Sequence, residues 1–431
     1  MTKREIYESK FISIPEALEK IRSGDTIAVG HYGNEPRNLL RQLHTIRDRV
    51  EDVTVWINNP SEEYPFIMDN RLKGRIDLLS AFYGAPLRKI HPSGRVSFAP
   101  HNMHSLSQTI IETKKPTVFM AAVTPLDEYG YVCMSMSQQM EREMMQVADL
   151  VIFEVNENIP KTIGTIQIPV EKVDFFVKAE GDISAAPEYP ITEVQQKIAQ
   201  NVASLIRDGD TIQLGIGGLP NAMADALMDK KDLGVHTEMF SDAMGKLMEA
   251  GVINNYRKNM HPGQSICAFA WGSKDFCKYI DRNPLIRVLP VSYVNDPFVI
   301  AQNDHMVSVN SALQMDLTGQ VCSESLGFQQ FSGTGGAFDF AYGAFHSKGG
   351  RGILALASTA KGGTVSRIQP GLTPGSVVSI SRNIVDYVVT EYGIAHLRGK
   401  TVRQRRDALI AIAHPDFRQQ LREEADKLMI W

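Results

Sequence analysis

The chain has 431 residues, of which 43% are hydrophobic and 22% charged, with a formal net charge of −4. That length exceeds one ordinary core and points to two domains, while the weakly acidic balance gives no electrostatic basis for binding nucleic acid or an acidic membrane surface. No run approaches the roughly 18 apolar residues of a membrane span, and the charged start "MTKREIYESKFISIPEALEKI" has no apolar signal-peptide region, so the reading is a cytoplasmic protein. Cys133, Cys267, Cys277 and Cys322 form no CxxC pair, which fits reduced thiols and excludes a disulfide frame or a zinc site.

In chain order, an amphipathic helix over Pro15–Arg22 leads into "IRSGDTIAVGHYGNEPRNLL" (21–40), read as strand, Gly-containing loop and helix, with a second strand in "DVTVWI" (52–57). "KPTVFMAAVTPLDEYGYVCM" and "ADLVIFEVNENIP" follow as strand-like runs. The Met-rich "CMSMSQQMEREMM" (133–145) reads as core, since Met fills irregular gaps. "AAPEYP" (185–190) marks a linker. A helix over Val194–Arg207 then leads into "IRDGDTIQLGIGGLPNAMA" (206–224), which repeats the 21–40 segment with one residue fewer, and "GVHTEMF" (234–240) is its second strand. A self-match this far apart indicates duplicated domains. Alternating strands and helices in each copy indicate parallel sheets covered by helices. The expected architecture is therefore α/β: two related open α/β domains with mainly parallel sheets, spanning 1–185 and 191–431, and an active site at their interface.

"LGIGGLPNAMADAL" (214–227) combines a strand end, a glycine turn and Pro220 near a helix start, where free N–H groups face negative charge. The first copy, "GHYGNEP", instead carries His31, Asn34 and Glu35. "FSGTGGAFDFAYGAFHSKGGRG" (331–352) carries seven glycines with Ser347, Lys348 and Arg351, and such a segment suits phosphates or an adenine nucleotide. Neither GxxxxGK[ST] nor the Rossmann GxGxxG spacing occurs, so a Walker NTPase and a dinucleotide site are not indicated. His101 and His104 lack a third ligand, and no metal site is expected.

"GIGGLPNAMADAL…LGVHTEMFSDAMG", "NDPFVIAQNDHMVSVNSALQMDLTGQV", "GTGGAFDFAYGAFHSKGG" and "YVVTEYGIAHLRGKTVRQRRDALIAIAHPDFR" resemble the acetyl-CoA hydrolase/transferase family of class I CoA-transferases, from about Ile27 to the C-terminus. The compact length and "GHYGNEP" resemble its 4-hydroxybutyrate and butyrate:acetate CoA-transferase branch. The resemblance implies a glutamate nucleophile at the "HTEM" strand end, here Glu238. It also implies an oxyanion-stabilising and CoA-binding turn over Gln213, Leu214, Gly215, Ile216, Gly217 and Gly218, with the Gly217 and Gly218 amides as oxyanion donors. Further CoA contacts carry over to Leu313, Gly336 and Asn383. Ile216 stands where relatives often have a polar residue, so only a backbone role is implied there. A homodimer is the fold-level expectation.

The chemistry needs no metal, no ATP and no permanently bound cofactor; the CoA thioester is itself a substrate, with acyl-CoA and a short-chain carboxylate as partners. A glutamate of ordinary pKa, near ~4.3, would be ionised at neutral pH and attack without a general base. Binding energy from the nucleotide end of CoA can hold the thioester in place, with Lys348 as a candidate grip. His31 and Glu35 are candidates for the substrate pocket, as is Glu154. Glu324 is the alternative nucleophile, and Glu391 is read as structural. An acyl-CoA hydrolase uses the same nucleophile, and a sugar-phosphate isomerase-like or nucleotide-sensing protein is a more distant alternative.

Overall fold

A computed structural model describes residues 1–186, 190–215 and 218–431. Part of the predicted linker, residues 187–189, and the predicted turn residues Ile216 and Gly217 lie outside them. The chain forms two compact units. One comprises Met1–His101, Ser105–Ala186 and Ala268–Ser292; the other comprises Asn102–His104, Pro187–Cys267 and Tyr293–Trp431. Two excursions therefore break the linear division: the three residues 102–104 join the second unit, and 268–292 join the first.

The first unit is built on strands β1 (Thr26–Val29), β2 (Val53–Trp56), β3 (Ile76–Ser80), β4 (Val96–Phe98), β5 (Val118–Val123), β6 (Leu150–Val155) and β7 (Phe175–Lys178). Their order is β4–β3–β2–β1–β5–β6–β7, and every pairing is parallel. β1, β2 and β5 are buried at every position, as expected for central parallel strands covered on both faces. Helix α1 (Arg37–Gln42) follows β1. Met134, Met136, Met140 and Met144 are fully buried, so the Met-rich segment fills the core.

The second unit repeats this plan with β8 (Thr211–Leu214), β9 (Gly234–Phe240), β10 (Met306–Ser311), β11 (Arg351–Ala355), β12 (Tyr387–Thr390) and β13 (Gly393–His396). β9–β8–β10–β11–β12 run side by side, each paired in parallel with its neighbour, and β13 closes one edge antiparallel. Helices α2 (Glu193–Ser204), α3 (Gly218–Ala226) and α4 (Ala337–His346) belong to this unit. About half of the glycine-rich segment 331–352 is thus helix α4, and not a phosphate loop: Gly343 brings it so close to Ile300 that a Cβ there would overlap the isoleucine side chain.

The duplication extends to single hydrogen bonds. Gly24 and Gly209 both sit at positive φ, +82° and +83°, where glycine alone is unstrained. The carboxylates that follow, Asp25 and Asp210, each accept the N–H three residues earlier, from Arg22 and Arg207, at 2.6 Å. At the strand ends, Gly30 donates to the Met120 carbonyl and Gly215 to that of Val309. The copies differ in that Asp210 also pairs with the buried guanidinium of Arg351, whereas Asp25 takes the Thr117 hydroxyl. Asp210→Ala strands a buried cation and is expected to cost about 3–5 kcal/mol; Asp25→Ala should cost about 1 kcal/mol. Denaturant unfolding followed by circular dichroism checks this, and equal losses would contradict it.

Candidate active site

Glu238 lies in β9, and its neighbours on the strand fix it firmly. The Val235 N–H donates to Asn255 Oδ1 (2.9 Å), and Lys258 Nζ donates to the carbonyls of Val235 and Gln264, both at 2.7 Å. Burial pushes the Lys258 pKa down to about 7. Two residues before Glu238, and so on the same strand face, His236 places Nε2 2.8 Å from the Val294 carbonyl. A carbonyl only accepts, so the proton sits on Nε2. Burial pushes the His236 pKa down to about 3, and the ring is neutral. That bond seats the turn carrying the next residue, Asn295, whose Nδ2 donates to Glu238 Oε2 at 2.7 Å. Asn295 is fully buried.

The other wall is Gly336, the residue before α4. A Cβ here would overlap both Glu238 Oε2 and Asn295 Nδ2, so only glycine permits this approach. The Gly336 backbone favours the charged carboxylate, as does the adjoining helix N-terminus. Burial outweighs both. Glu238 is half-buried as a residue, yet desolvation of its carboxylate, aided by the negative charge of Asp339 and opposed by Asn295 and Gly336, pushes its pKa up to about 7. The expectation of an ordinary, fully ionised glutamate is therefore corrected: near neutral pH this carboxylate is divided between both forms, and its anion is poorly solvated.

The remaining sequence candidates are distributed as follows. Gly218 is the buried first residue of α3, and a Cβ on it would press on the Gln195 amide. Gly215 gives its N–H to Val309 at 3.0 Å, so this amide is committed to the sheet and not to an oxyanion. Leu214 is buried at the end of β8, and Gln213 forms a reciprocal amide pair with Asn310, 3.2 Å each way, so its side chain braces β8 against β10. Leu313 follows the carboxyl end of β10. Lys348 and Asn383 are exposed and precede the starts of β11 and β12, at the amino ends of the strands. Lys348 also lies past the far end of ten-residue α4, about 15 Å from Gly336, so the structure does not bring it to Glu238. Glu324 accepts the hydroxyls of Thr334 and Ser379, at 2.8 and 2.7 Å, and so braces the turn before Gly336. Glu391 accepts from Ser358 N and Oγ.

In the first unit, His31 and Glu35 share the short turn after β1. His31 is buried, and among the described residues neither ring nitrogen has a hydrogen-bond partner. Burial, opposed by nearby Gln139, pushes its pKa down to about 4. Glu35 accepts from the Ser61 N–H at 3.2 Å, its Oε2 is unpartnered, and burial pushes its pKa up to about 7. Glu154 accepts three N–H bonds from Asn38 and Leu39 and anchors the start of α1. Among the described residues no group of His, Cys, Asp or Glu is arranged to hold a metal, and no helix is long and apolar enough to cross a membrane. Sequence reasoning passed over Asn295 and Asp339, and weighed His104 only as a metal ligand. Asn295 lies inside "NDPF" and Asp339 inside "AFDF", both within family-like segments, but 57 residues separate Asn295 from Glu238.

A carboxylate at the carboxyl-end side of a parallel sheet, pressed on a glycine turn and a buried amide, is the candidate site on this duplicated α/β fold. Family models for the acetyl-CoA hydrolase/transferase N-terminal domain and C-terminal domain match residues 1–187 and 272–425, and the chain belongs to this family. It is 41% identical to a 4-hydroxybutyrate coenzyme A transferase of Clostridium kluyveri, covering 98% of this chain and 99% of that one. It is 35% identical to a butyryl-CoA:acetate CoA-transferase of Anaerostipes caccae, covering 100% and 99%. The crystal structure of RipA from Yersinia pestis superposes with a TM-score of 0.93 at 35% identity, over 100% of both chains.

Gly336→Ala is expected to leave the fold intact and lower kcat/KM at least about 100-fold by displacing the carboxylate; steady-state kinetics beside a circular dichroism spectrum checks this. Asn295→Ala removes a bond that favours the anion, so the acidic limb of the kcat/KM profile should move to higher pH. The raised Glu238 pKa also opposes folding. The native state keeps the proton up to about 7, the unfolded chain loses it near 4.5, and stability therefore falls as pH rises through that window. Glu238→Gln should accordingly stabilise the protein on the order of 2 kcal/mol at pH ~8 and hardly at all at pH ~4, as thermal unfolding at the two pH values will show.

Proposed function

We propose that this protein is a CoA-transferase that moves CoA between a short-chain acyl-CoA, butyryl-CoA or 4-hydroxybutyryl-CoA, and acetate by ping-pong chemistry through a glutamyl-CoA thioester on Glu238. The observation that carries the reading is the desolvated Glu238 carboxylate held between Asn295 Nδ2 and Gly336, in a chain whose relatives are named for this transfer. An anion stripped of water is a stronger nucleophile than a solvated carboxylate. It attacks the thioester carbonyl, the C–S bond breaks, and a mixed anhydride and CoA thiolate result. The thiolate attacks the glutamyl carbonyl and expels the first carboxylate. The incoming carboxylate then attacks the glutamyl thioester, re-forming an anhydride, and the thiolate takes the new acyl group and restores Glu238. No proton, electron or water is consumed.

Each addition develops an oxyanion, for which the Gly217 and Gly218 amides are the proposed donors, worth about 3–4 kcal/mol if they act as oxyanion-hole donors do. Gln213, Leu214, Ile216, Leu313 and Gly336 remain proposed CoA contacts, whereas Asn383 shares with Lys348 the amino ends of the strands, away from Glu238. The neutral His31 and the protonatable Glu35 suit an acyl pocket that accepts an uncharged or hydroxylated chain, since both keep unpartnered polar atoms in a buried turn.

Incubation with butyryl-CoA alone followed by borohydride tests the reading. The expected result is loss of activity with reduction of the Glu238 side chain, seen as a mass change on its peptide. Modification at Glu324, or none, overturns the assignment. Release of free CoA thiol without acetate at the rate seen with acetate would instead identify a hydrolase.

A further inference from the structure

Asp339 is fully buried and lies one turn into α4 from Gly336, on the same helix face. Its two oxygens are both taken by one residue: His104 donates its backbone N–H to Oδ2 at 3.0 Å and places Nδ1 2.8 Å from Oδ1. The pair spans 235 positions in sequence. His104 belongs to the three-residue excursion 102–104 that joins the second unit, so a detour of the chain ends on this carboxylate. The next residue, Phe340, sets its ring 6.2 Å from that of His236, the histidine whose carbonyl bond seats Asn295. Both walls of the Glu238 site thus connect to the first turns of α4.

We propose that Asp339, held by His104, is a positioning residue for the nucleophile: it fixes the Gly336 end of α4 and, as a second buried negative charge, destabilises the free Glu238 carboxylate relative to its neutral acylated forms. The proposal rests on the reading of Glu238 as the nucleophile. A like charge raises the free energy of an anion and leaves a neutral thioester or anhydride almost untouched, so it favours formation of the covalent intermediate. The same charge contributes to the raised pKa of Glu238, and the carboxylate in turn raises that of His104, with Asp296 adding to the effect. Burial raises the pKa of Asp339 itself, and the bonds from His104 and the Met103 backbone oppose this by favouring its anion; the other charged or titratable groups facing this network are His104, Asp296 and the neutral His236. Lys258 is spent on the carbonyls behind β9.

The test is single-turnover acylation by butyryl-CoA across about pH 5.5 to 8.5, with the borohydride-trapped glutamyl-CoA share measured in parallel, for wild type, Asp339→Asn, His104→Ala and His104→Asn. Asp339→Asn should move the acidic limb down by roughly one pH unit and lower the trapped share about tenfold. His104→Ala removes the side-chain donor, lets Asp339 take up a proton, and should move the limb in the same direction. His104→Asn keeps an N–H at the Nδ1 position and should not move it down. His104 is partly exposed, so its variants decide the matter if Asp339→Asn does not fold. A limb that stays at its wild-type position in Asp339→Asn and His104→Ala overturns the proposal, even if both are slower, because a merely structural brace changes rates without moving the limb. Absence of trapped Glu238 in the wild type overturns the nucleophile reading, and this proposal with it.

Discussion

The site depends on one close approach: the Glu238 carboxylate rests where no Cβ could stand at position 336, with the Asn295 amide on the same oxygen. Burial there desolvates the carboxylate and disfavours its charged form. Two hydrogen-bonding groups keep the anion accessible; burial and Asp339 keep it from being comfortable. The balance leaves the carboxylate near its titration midpoint at neutral pH, where anion and acid differ little in free energy.

The duplicated scaffold explains how so local an arrangement is held. Each copy opens with a positive-φ glycine, an aspartate that caps the turn, a buried strand and a glycine whose N–H closes onto the neighbouring strand. These bonds set where each strand ends to within a residue, and chemistry diverges only beyond that point. The first copy places His31 and Glu35 in a buried turn after its strand. The second starts a helix after its own strand, and carries an acid in β9, the strand beside it, where the first copy has the apolar β2. The asymmetry lies in side chains on a shared backbone plan.

Much of this was legible in the sequence, for identifiable reasons. The repeat was visible because strand–turn–helix units keep turn residues such as Gly24 and Gly209 for backbone reasons that no other residue meets. Glu238 stood out because a single acid in a buried strand is expensive. What escaped was set by distant packing. Asn295 and Asp339 look like ordinary turn and helix residues until the fold sets them beside β9, and His104 looked like half of an incomplete metal pair. Glycine density in 331–352 suggested a loop, yet Gly343 serves helix packing, and Phe340 and Ala344 are buried on α4. Lys348 drew attention by its charge, but its place beyond the far end of that helix is a matter of helical rise, which composition does not reveal. The ionisation of Glu238 could not be read from one dimension either, because desolvation is a property of the whole surrounding shell.

The central claim, that the nucleophile is a desolvated carboxylate poised near neutrality, is tested most directly by titrating it. Carbon-13 NMR of protein labelled at the glutamate side-chain carboxyl, with the Glu238 signal assigned by its loss in Glu238→Gln, gives its midpoint without reference to turnover. The expected midpoint is near 7. A midpoint at the ordinary glutamate value near 4.5 would contradict it.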